Sequence, residues 1–385
     1  MSVKSIVKKI SSSEFIARDL RAAIGPWVFS RVIVGLALFV ARTVSSGVDG
    51  IGDSRAAHEG LFVYDGSLYR GIAEVGYEHL PRELLRFFPL YPLSGRALGW
   101  AFFGHIDLAL LVIANGGALI AGALLFRLVL RETSDERLAT RSVWFLAIFP
   151  ASLVLVLAYA ESILLVAAIG MFLALRSKRW WLAAALGLAA GATRPVGLLL
   201  ALPALIEATR DFSSVTNIKE RIARAASVVA PVVGVGAYLV WVDSVFGGFF
   251  TAFDVQSKSN LRGSTTDPFT RVGQAIADTF GADIVQSSGR ALRYLIWIAL
   301  ALILIGVVSR RLPSSYTAYG LVAIVLGMTS ENSSSFERYT FTTFPLIIGL
   351  AYLTETQRVR RLFSIISIMG LFSLSLAVFL GQYVP

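Results

Sequence analysis

Residues 61–93 read LFVYDGSLYRGIAEVGYEHLPRELLRFFPLYPL and follow directly on the first hydrophobic stretch of a very apolar chain. Asp65 stands among aromatic residues, and Glu74 and the run Phe87-Phe88-Pro89-Leu90-Tyr91-Pro92 come after it. A carboxylate in this setting is suited to accept a proton from a hydroxyl group. The aromatic residues suit an apolar chain. Together they fit chemistry on a lipid-linked polar substrate at a membrane surface. If residues 66–76 are helical, Tyr69, Ile72 and Gly76 share the Asp65 face at i+4, i+7 and i+11. Glu74 then falls on the opposite side, placed to pair with Arg70 at i−4. That spacing argues against an Asp65–Glu74 dyad. Asp65 is also a good N-cap before Gly66-Ser67. The capping and general-base roles are compatible, and spacing alone does not choose between them.

The cations come from farther along the chain. Arg194 is followed by Pro195 in the middle of an apolar stretch. It either bonds the carbonyls that the proline frees or holds a phosphate, for which a guanidinium fork is suited. Arg338-Tyr339 abuts an apolar stretch that continues through Pro345. That arginine either snorkels to headgroups or binds the phosphate of a lipid carrier. Gln256, Lys258 and Arg262 lie close together and fit either an ordinary wet loop or a substrate contact. Glu161, with Tyr159 and Ser162, sits at an expected hairpin tip, where a surface acid is the default. Phe87–Pro92 reads as an extended segment, since each proline disfavours helix in the residue before it. It is either an interfacial aromatic belt or the floor of a polyprenyl groove.

These residues need a scaffold. The chain has 385 residues, is 56% hydrophobic and has a mean hydropathy of +0.70. A soluble domain of this size would be about 45–50% apolar. Many runs are long enough to cross a hydrocarbon core of roughly 30 Å. The pattern predicts an all-α polytopic membrane protein, and the lack of recurring period-2 segments argues against a β-barrel. The net charge of +10 fits Lys and Arg gathered in cytoplasmic loops and does not call for nucleic acid. Having no cysteine excludes disulfides, thiolate catalysis and Cys-ligated metals. His58, His79 and His105 are too few and too scattered for a His-based metal site. The basic leader is long for a cleavable signal peptide, so the first span reads as an uncleaved signal anchor.

Lys4, Lys8, Lys9, Arg18 and Arg21 place the N-terminus in the cytoplasm. Residues 1–25 read as an amphipathic leader, with Val3, Ile6, Val7 and Ile10 at helical spacing. Spans are expected at 26–45 and 107–128, then as a hairpin of two over 142–176. Others are expected at 226–246, 290–308, 315–329, 340–354 and 362–381. Residues 180–208 carry basic flanks on both sides, which one span cannot satisfy. Two short spans meeting at 191–195 can. An Arg at the bilayer centre costs roughly 2.5–3.5 kcal/mol or more, and Pro breaks a helix. The break therefore belongs near the outer surface, facing a wet cavity. The sum is about eleven spans in a single integral-membrane domain, 1–385. A first outer loop, 46–106, holds amphipathic helices and the Asp65 motif, and a second covers 247–289. Asp65, Glu161, Arg194, the 256–262 segment and the 331–338 segment are thereby expected on one face.

With these residues placed, the chain resembles the PIG-V family, the glycosylphosphatidylinositol mannosyltransferase II family and its bacterial relatives in the GT-C superfamily. Tyr64-Asp65-Gly66, Ile72-Ala73-Glu74 with Gly76-Tyr77, and Phe87–Pro92 carry the resemblance first. Phe149-Pro150, Tyr159-Ala160-Glu161-Ser162, Ala192-Thr193-Arg194 with Gly197, Gln256, and Arg338-Tyr339 with Pro345 continue it in family order. The chain departs from the family at Tyr64, where a Trp is usual, and over 78–86. Those differences bear on the acceptor. The resemblance implies a GT-C-like fold in the cytoplasmic membrane with its active site on the outer face. It implies inverting transfer of a sugar, most often mannose, from a polyprenyl-phosphate donor to a glycolipid or glycan acceptor. Asp65 matches the family's acid and would take the acceptor's proton. Arg194 and Arg338, with Lys258 or Arg262, would face the leaving phosphate. Tyr64, Tyr69, Glu74, Phe88, Tyr91, Glu161, Gln256 and Tyr339 would contact substrate. The sequence requires no cofactor. A carboxylate-bound Mg²⁺ or Mn²⁺ could share the charge, but no Asp-x-Asp cluster calls for one.

Three other readings compete. A transporter or lipid flippase would place polar groups at the midplane and often shows internal repeats, which this sequence lacks. A non-catalytic envelope scaffold would tolerate loss of Asp65. An enzyme of the same superfamily using a polyprenyl-linked arabinose or glucose would keep every feature above.

Overall fold

The computed structural model describes residues 12–47, 54–258, 261–280, 288–330 and 336–383. The Val3–Ile10 pattern and residues 331–335 lie outside them. The described residues form helices and turns joined by a single isolated bridge, Thr265 with Ser330. The helices are α1 Ser12–Gly47, α2 Arg55–Glu59, α3 Asp65–Val75, α4 Leu90–Ala101, α5 Ile106–Thr133 and α6 Glu136–Ile148. Next come α7 Glu161–Arg176, α8 Trp180–Thr193, α9 Ala201–Thr209, α10 Ile218–Phe246, α11 Thr251–Gln256 and α12 Pro268–Phe280. The last are α13 Ser288–Arg311, α14 Ser314–Met328, α15 Phe336–Phe341, α16 Phe344–Leu353 and α17 Gln357–Phe379.

Five of these, α1, α5, α10, α13 and α17, are long and apolar enough to cross a membrane. The chain is an all-helical polytopic membrane protein. The other six expected spans fall on α6, α7, α8, the 195–209 stretch, α14 and α16, none longer than 16 residues. A helix of that length reaches roughly 24 Å, short of a hydrocarbon core. These helices therefore place their ends, and the breaks between them, at depth.

The expected boundary between leader and first span is absent. α1 runs unbroken through Pro26. Its buried Ala23, Ser30, Val34, Ala37 and Ala41 hold one helical face across the proline. A single face packed on neighbours outweighs one missing hydrogen bond.

The middle of the bundle is α7. Leu164, Leu165, Ala167, Ala168, Ile169, Met171, Phe172, Ala174 and Leu175 are all buried, so the helix is covered all round. α8 packs against α10 with the backbones in contact: a Cβ on Gly191 would lie 2.3 Å from the Pro231 carbonyl oxygen. Only a missing side chain permits that approach. One end of α7 carries a polar network. Arg176 pairs bidentately with Glu132 at 2.9 and 3.1 Å and reaches Glu207 at 3.2 Å, and Ser315 donates to Glu207 at 2.7 Å. It ties α5, α7, α9 and α14 together. Glu161 stands at the other end of the same helix.

The expected extended aromatic segment is not extended past Pro89. Leu90-Tyr91-Pro92 form the first turn of α4. Amides in a first turn have no partner within the helix, so Pro92 costs no bond there. Phe88 and Tyr91 are fully buried, at 1% and 0% exposure. Phe88 meets the Tyr238 ring at 4.6 Å, and the Tyr91 hydroxyl donates to the Leu110 carbonyl at 3.1 Å. These rings seat the first loop on α5 and α10 and offer no floor to a lipid.

Candidate active site: two carboxylates and two arginines at one end of the bundle

Asp65 and Glu161 each open a helix, α3 and α7, where the dipole favours a negative charge. The strands of chain leading into them are bonded together. The Ala158 amide donates to the Leu61 carbonyl at 2.9 Å, and the Tyr159 hydroxyl donates to the Val63 carbonyl at 3.2 Å. Tyr64, just before the acid, has φ 53°. A tyrosine in that region is strained, and here the strain turns the chain sharply into α3. Tyr64, not Asp65, occupies the cap position of α3, and it makes no side-chain cap bond.

Asp65 Oδ2 instead lies 2.8 Å from Arg338 Nη2. Arg338 Nε donates to Glu161 Oε1, and Arg194 Nη1 donates to the same oxygen. The Arg338 guanidinium lies over the Tyr159 ring at 4.7 Å, and that of Arg194 over the Tyr339 ring at 5.3 Å. Arg338 comes from α15. Arg194 sits in extended conformation between α8 and the turn Pro195–Leu200, as Pro195 requires of the residue before it. The α8–α10 contact at Gly191, one turn earlier, fixes where it emerges.

Two guanidiniums and two carboxylates balance, which is the condition for keeping charges buried. The side chains are unequally accessible: Glu161 1%, Arg338 4%, Arg194 11% and Asp65 19%. Asp65 is the most accessible of the four. Burial alone would lower the Arg338 pKa, but Asp65 and the hydroxyls of Tyr339, Tyr159 and Tyr69 more than offset it, so the cation is held charged. Burial would raise the Tyr339 phenol, yet Arg194 and Arg338 pull it below its ordinary value. Tyr69, buried on the Asp65 face of α3, is pushed up to about 12, chiefly by burial.

The remaining expected site residues lie apart from this cluster or at its edge. Arg262 donates from Nη2 to the Leu326 carbonyl at 2.6 Å and to Thr329 at 3.1 Å. With Tyr339 it lines a small cavity of about 20 Å³ beside the cluster. Lys258 pairs with Glu83 on an exposed surface. Gln256 closes α11, and its carbonyl accepts the Arg262 amide at 3.1 Å. Glu74 is exposed on the far side of α3, 3.9 Å from Arg70.

Sequence reasoning missed Arg31 and Asn115. Both lie inside long apolar helices, and both serve the irregular 150–160 segment that delivers Tyr159 and Glu161. Arg31 Nη2 donates to the Leu155 carbonyl at 2.7 Å, and Asn115 Nδ2 to the Val156 carbonyl at 3.2 Å. Arg31 Nε bonds Asn115 Oδ1 at 3.0 Å. Non-helical backbone at membrane depth needs such partners. Arg31→Leu and Asn115→Leu are expected to destabilise by about 1–3 kcal/mol per orphaned acceptor and to lower activity without touching substrate. Their double mutant should lose less than the sum, because the two share one network. Thermal unfolding in detergent measures this; wild-type melting of both single variants would show that the carbonyls are satisfied without them.

The cluster is a poor match for a divalent cation. Asp65 and Glu161 both face Arg338, and two arginines already supply positive charge. Among the described residues no three His, Cys, Asp or Glu side chains converge.

No family model matches the chain, and no curated protein does. Among solved structures it is similar to the oligosaccharyltransferase of Archaeoglobus fulgidus in complex with Zn and sulfate. The identity is 12%, over 93% of this chain and 53% of that one, with a TM-score of 0.44. It is also similar to the archaeal oligosaccharyltransferase AglB from Archaeoglobus fulgidus in complex with an inhibitory peptide and a dolichol-phosphate. There the identity is 10%, over 92% of this chain and 56% of that one, with a TM-score of 0.41. The chain thus spans about half the length of these proteins. At this level of likeness, its own residues carry any functional reading.

Proposed function

We propose that the chain is a membrane glycosyltransferase of the GT-C type. It moves a sugar, with mannose the first candidate, from a polyprenyl phosphate to a hydroxyl of a glycolipid or glycan, with inversion. The observation that carries this reading is the Asp65–Arg338 pair: an accessible carboxylate 2.8 Å from a buried arginine, with a second arginine linked through Glu161. Glycosyl transfer to a hydroxyl needs those two functions side by side. The acceptor oxygen bonds to the anomeric carbon, and its proton goes to Asp65. The bond from that carbon to the phosphate oxygen breaks, and the electron pair stays on the phosphate. Arg338 and Arg194 stabilise the charge that grows there. The likeness of the Tyr64–Gly66 and Arg338-Tyr339 segments to the PIG-V family supports the choice of donor.

The test is incubation of the purified protein with a panel of polyprenyl-phosphate sugars and nucleotide sugars. Transfer or hydrolysis is expected with a lipid-linked sugar. Activity with nucleotide sugars alone would overturn the reading. Arg194→Ala is expected to lower kcat/KM for the donor by about 10²-fold. Arg194→Lys should restore it only in part, since an ammonium cannot make the forked contact. Unchanged kinetics in Arg194→Ala would put the phosphate elsewhere.

We place the site on the extracytoplasmic face. Arg131, Arg176 and Arg210 meet around Glu132 and Glu207 at the far end of α7, and Lys178 and Arg179 follow that end in the chain, as the positive-inside rule asks of the cytoplasmic side. The chain has no cysteine, so single cysteines report cleanly. Ser264→Cys should label from outside with an impermeant reagent and Ser214→Cys should not; the reverse would invert the orientation.

A further inference from the structure

Glu161 reads from its place in the sequence as a surface acid and from the resemblance as a substrate contact, but the structure buries it against two arginines. Its side chain is 1% exposed and receives both arginines on one oxygen, Oε1. Its other oxygen, Oε2, is buried with no hydrogen-bond partner among the described residues. What Glu161 does hold is one part of a shared guanidinium. Arg338 Nε is on Glu161, while Arg338 Nη2 is on Asp65 at 2.8 Å.

We propose that Glu161 is a positioning residue: it anchors Arg194 and the Nε of Arg338, so that Arg338 Nη2 passes from Asp65 to the leaving phosphate during transfer. This rests on the glycosyl-transfer reading. In that reaction the hydroxyl proton moves to Asp65, so Asp65 loses its negative charge. The same step leaves an electron pair on the phosphate oxygen, so the phosphate gains a charge. A cation between the two is attracted away from one and toward the other in a single event. It can change partners without a large movement only if a third group holds it. The buried Glu161 is that group. It also cancels one of the two arginine charges, so a singly charged donor enters a site that is neutral overall.

Removing the charge of Glu161 while keeping its volume tests this. In Glu161→Gln the site carries one excess positive charge, and Arg338 has Asp65 as its only anion. The expected result is kcat about ten-fold lower or more, with donor KM unchanged or lower, a split that marks loss of stabilisation specific to the transition state. Farnesyl phosphate, followed by tryptophan fluorescence, should bind this variant several-fold more tightly than the wild type. Glu161→Asp restores the charge but is too short to reach both arginines. It should recover melting temperature more than kcat, and it carries the same comparison if the Gln variant does not fold. Wild-type kcat in Glu161→Gln overturns the proposal. A raised donor KM with unchanged kcat also overturns it and makes Glu161 a substrate contact. Weaker farnesyl phosphate binding in Glu161→Gln overturns it as well. Failure of the wild type to use any lipid-linked sugar would overturn the function instead. The farnesyl phosphate comparison would then still decide whether Glu161 restrains the arginines.

Discussion

Asp65→Asn is expected to insert and fold as the wild type does and to lose transfer by roughly 10²–10⁴-fold, the contribution of a positioned general base. Folding should survive for two local reasons. The start of α3 is set by the Tyr64 conformation and does not use the Asp65 carboxylate as a cap. The Asn amide oxygen still lies beside Arg338 Nη2, and Arg338 keeps Glu161 through its Nε. Asp65→Glu keeps the carboxylate but displaces it, and should retain a small part of the rate. Glu74→Gln should stay close to wild type, since Glu74 is exposed and pairs only loosely with Arg70. Transfer rates of the three variants at matched melting temperature decide the matter. An active Asp65→Asn would leave the base unassigned.

How far such a site can be read from sequence depends on whether its causes are local. The break at Arg194-Pro195 was legible because two basic flanks and a proline demanded it. α8 does end there, and the chain turns into Pro195–Leu200. The pairing of Glu74 with Arg70 followed from helical spacing alone. The burial of Glu161 did not. A glutamate at a hairpin tip defaults to the surface, and here Arg194 and Arg338, from distant segments, close over it. The pairing of Asp65 with Arg338 joins segments far apart in the chain, and no local pattern announces it. The aromatic run misled in the opposite sense. In a first turn, where Pro92 sits, its missing amide costs nothing, and the burial of Phe88 and Tyr91 outweighs the steric bias on the residue before it.

Arg31 and Asn115 are legible in the sequence as polar side chains inside apolar spans. A charged side chain inside an apolar span is a hypothesis by default, and Arg31 falls within the span expected at 26–45. Its partners were not readable, because a carbonyl freed by irregular backbone leaves no mark in composition. Lys258 shows the converse. Its spacing to Gln256 and Arg262 fits a wet loop as well as a substrate contact, the phosphate role comes from the resemblance alone, and the fold pairs it with Glu83 on an exposed surface.

Arg338→Ala is expected to do the most damage, to folding and to chemistry together. It leaves Asp65 without its 2.8 Å partner and Glu161 with Arg194 alone. Breaking a buried pair from one side costs about 3–5 kcal/mol, because the remaining charge stays buried. Loss of the cation that faces the leaving phosphate should cost a further 10²–10³-fold or so in kcat. The two effects separate in Arg338→Lys. A lysine restores a charge, so much of the stability should return. Its single ammonium cannot hold Glu161 and Asp65 at once as a planar fork does, so activity should stay low. Pairing either variant with Asp65→Asn sharpens the point. With the acid neutral there is less charge to strand, so the double variant should melt above the single Arg338→Ala protein. Its transfer should fall no further than the worse single, because groups that act as one unit are not additive. Full wild-type transfer in Arg338→Ala would mean that the phosphate is held elsewhere and that the Asp65–Arg338 contact belongs to folding alone.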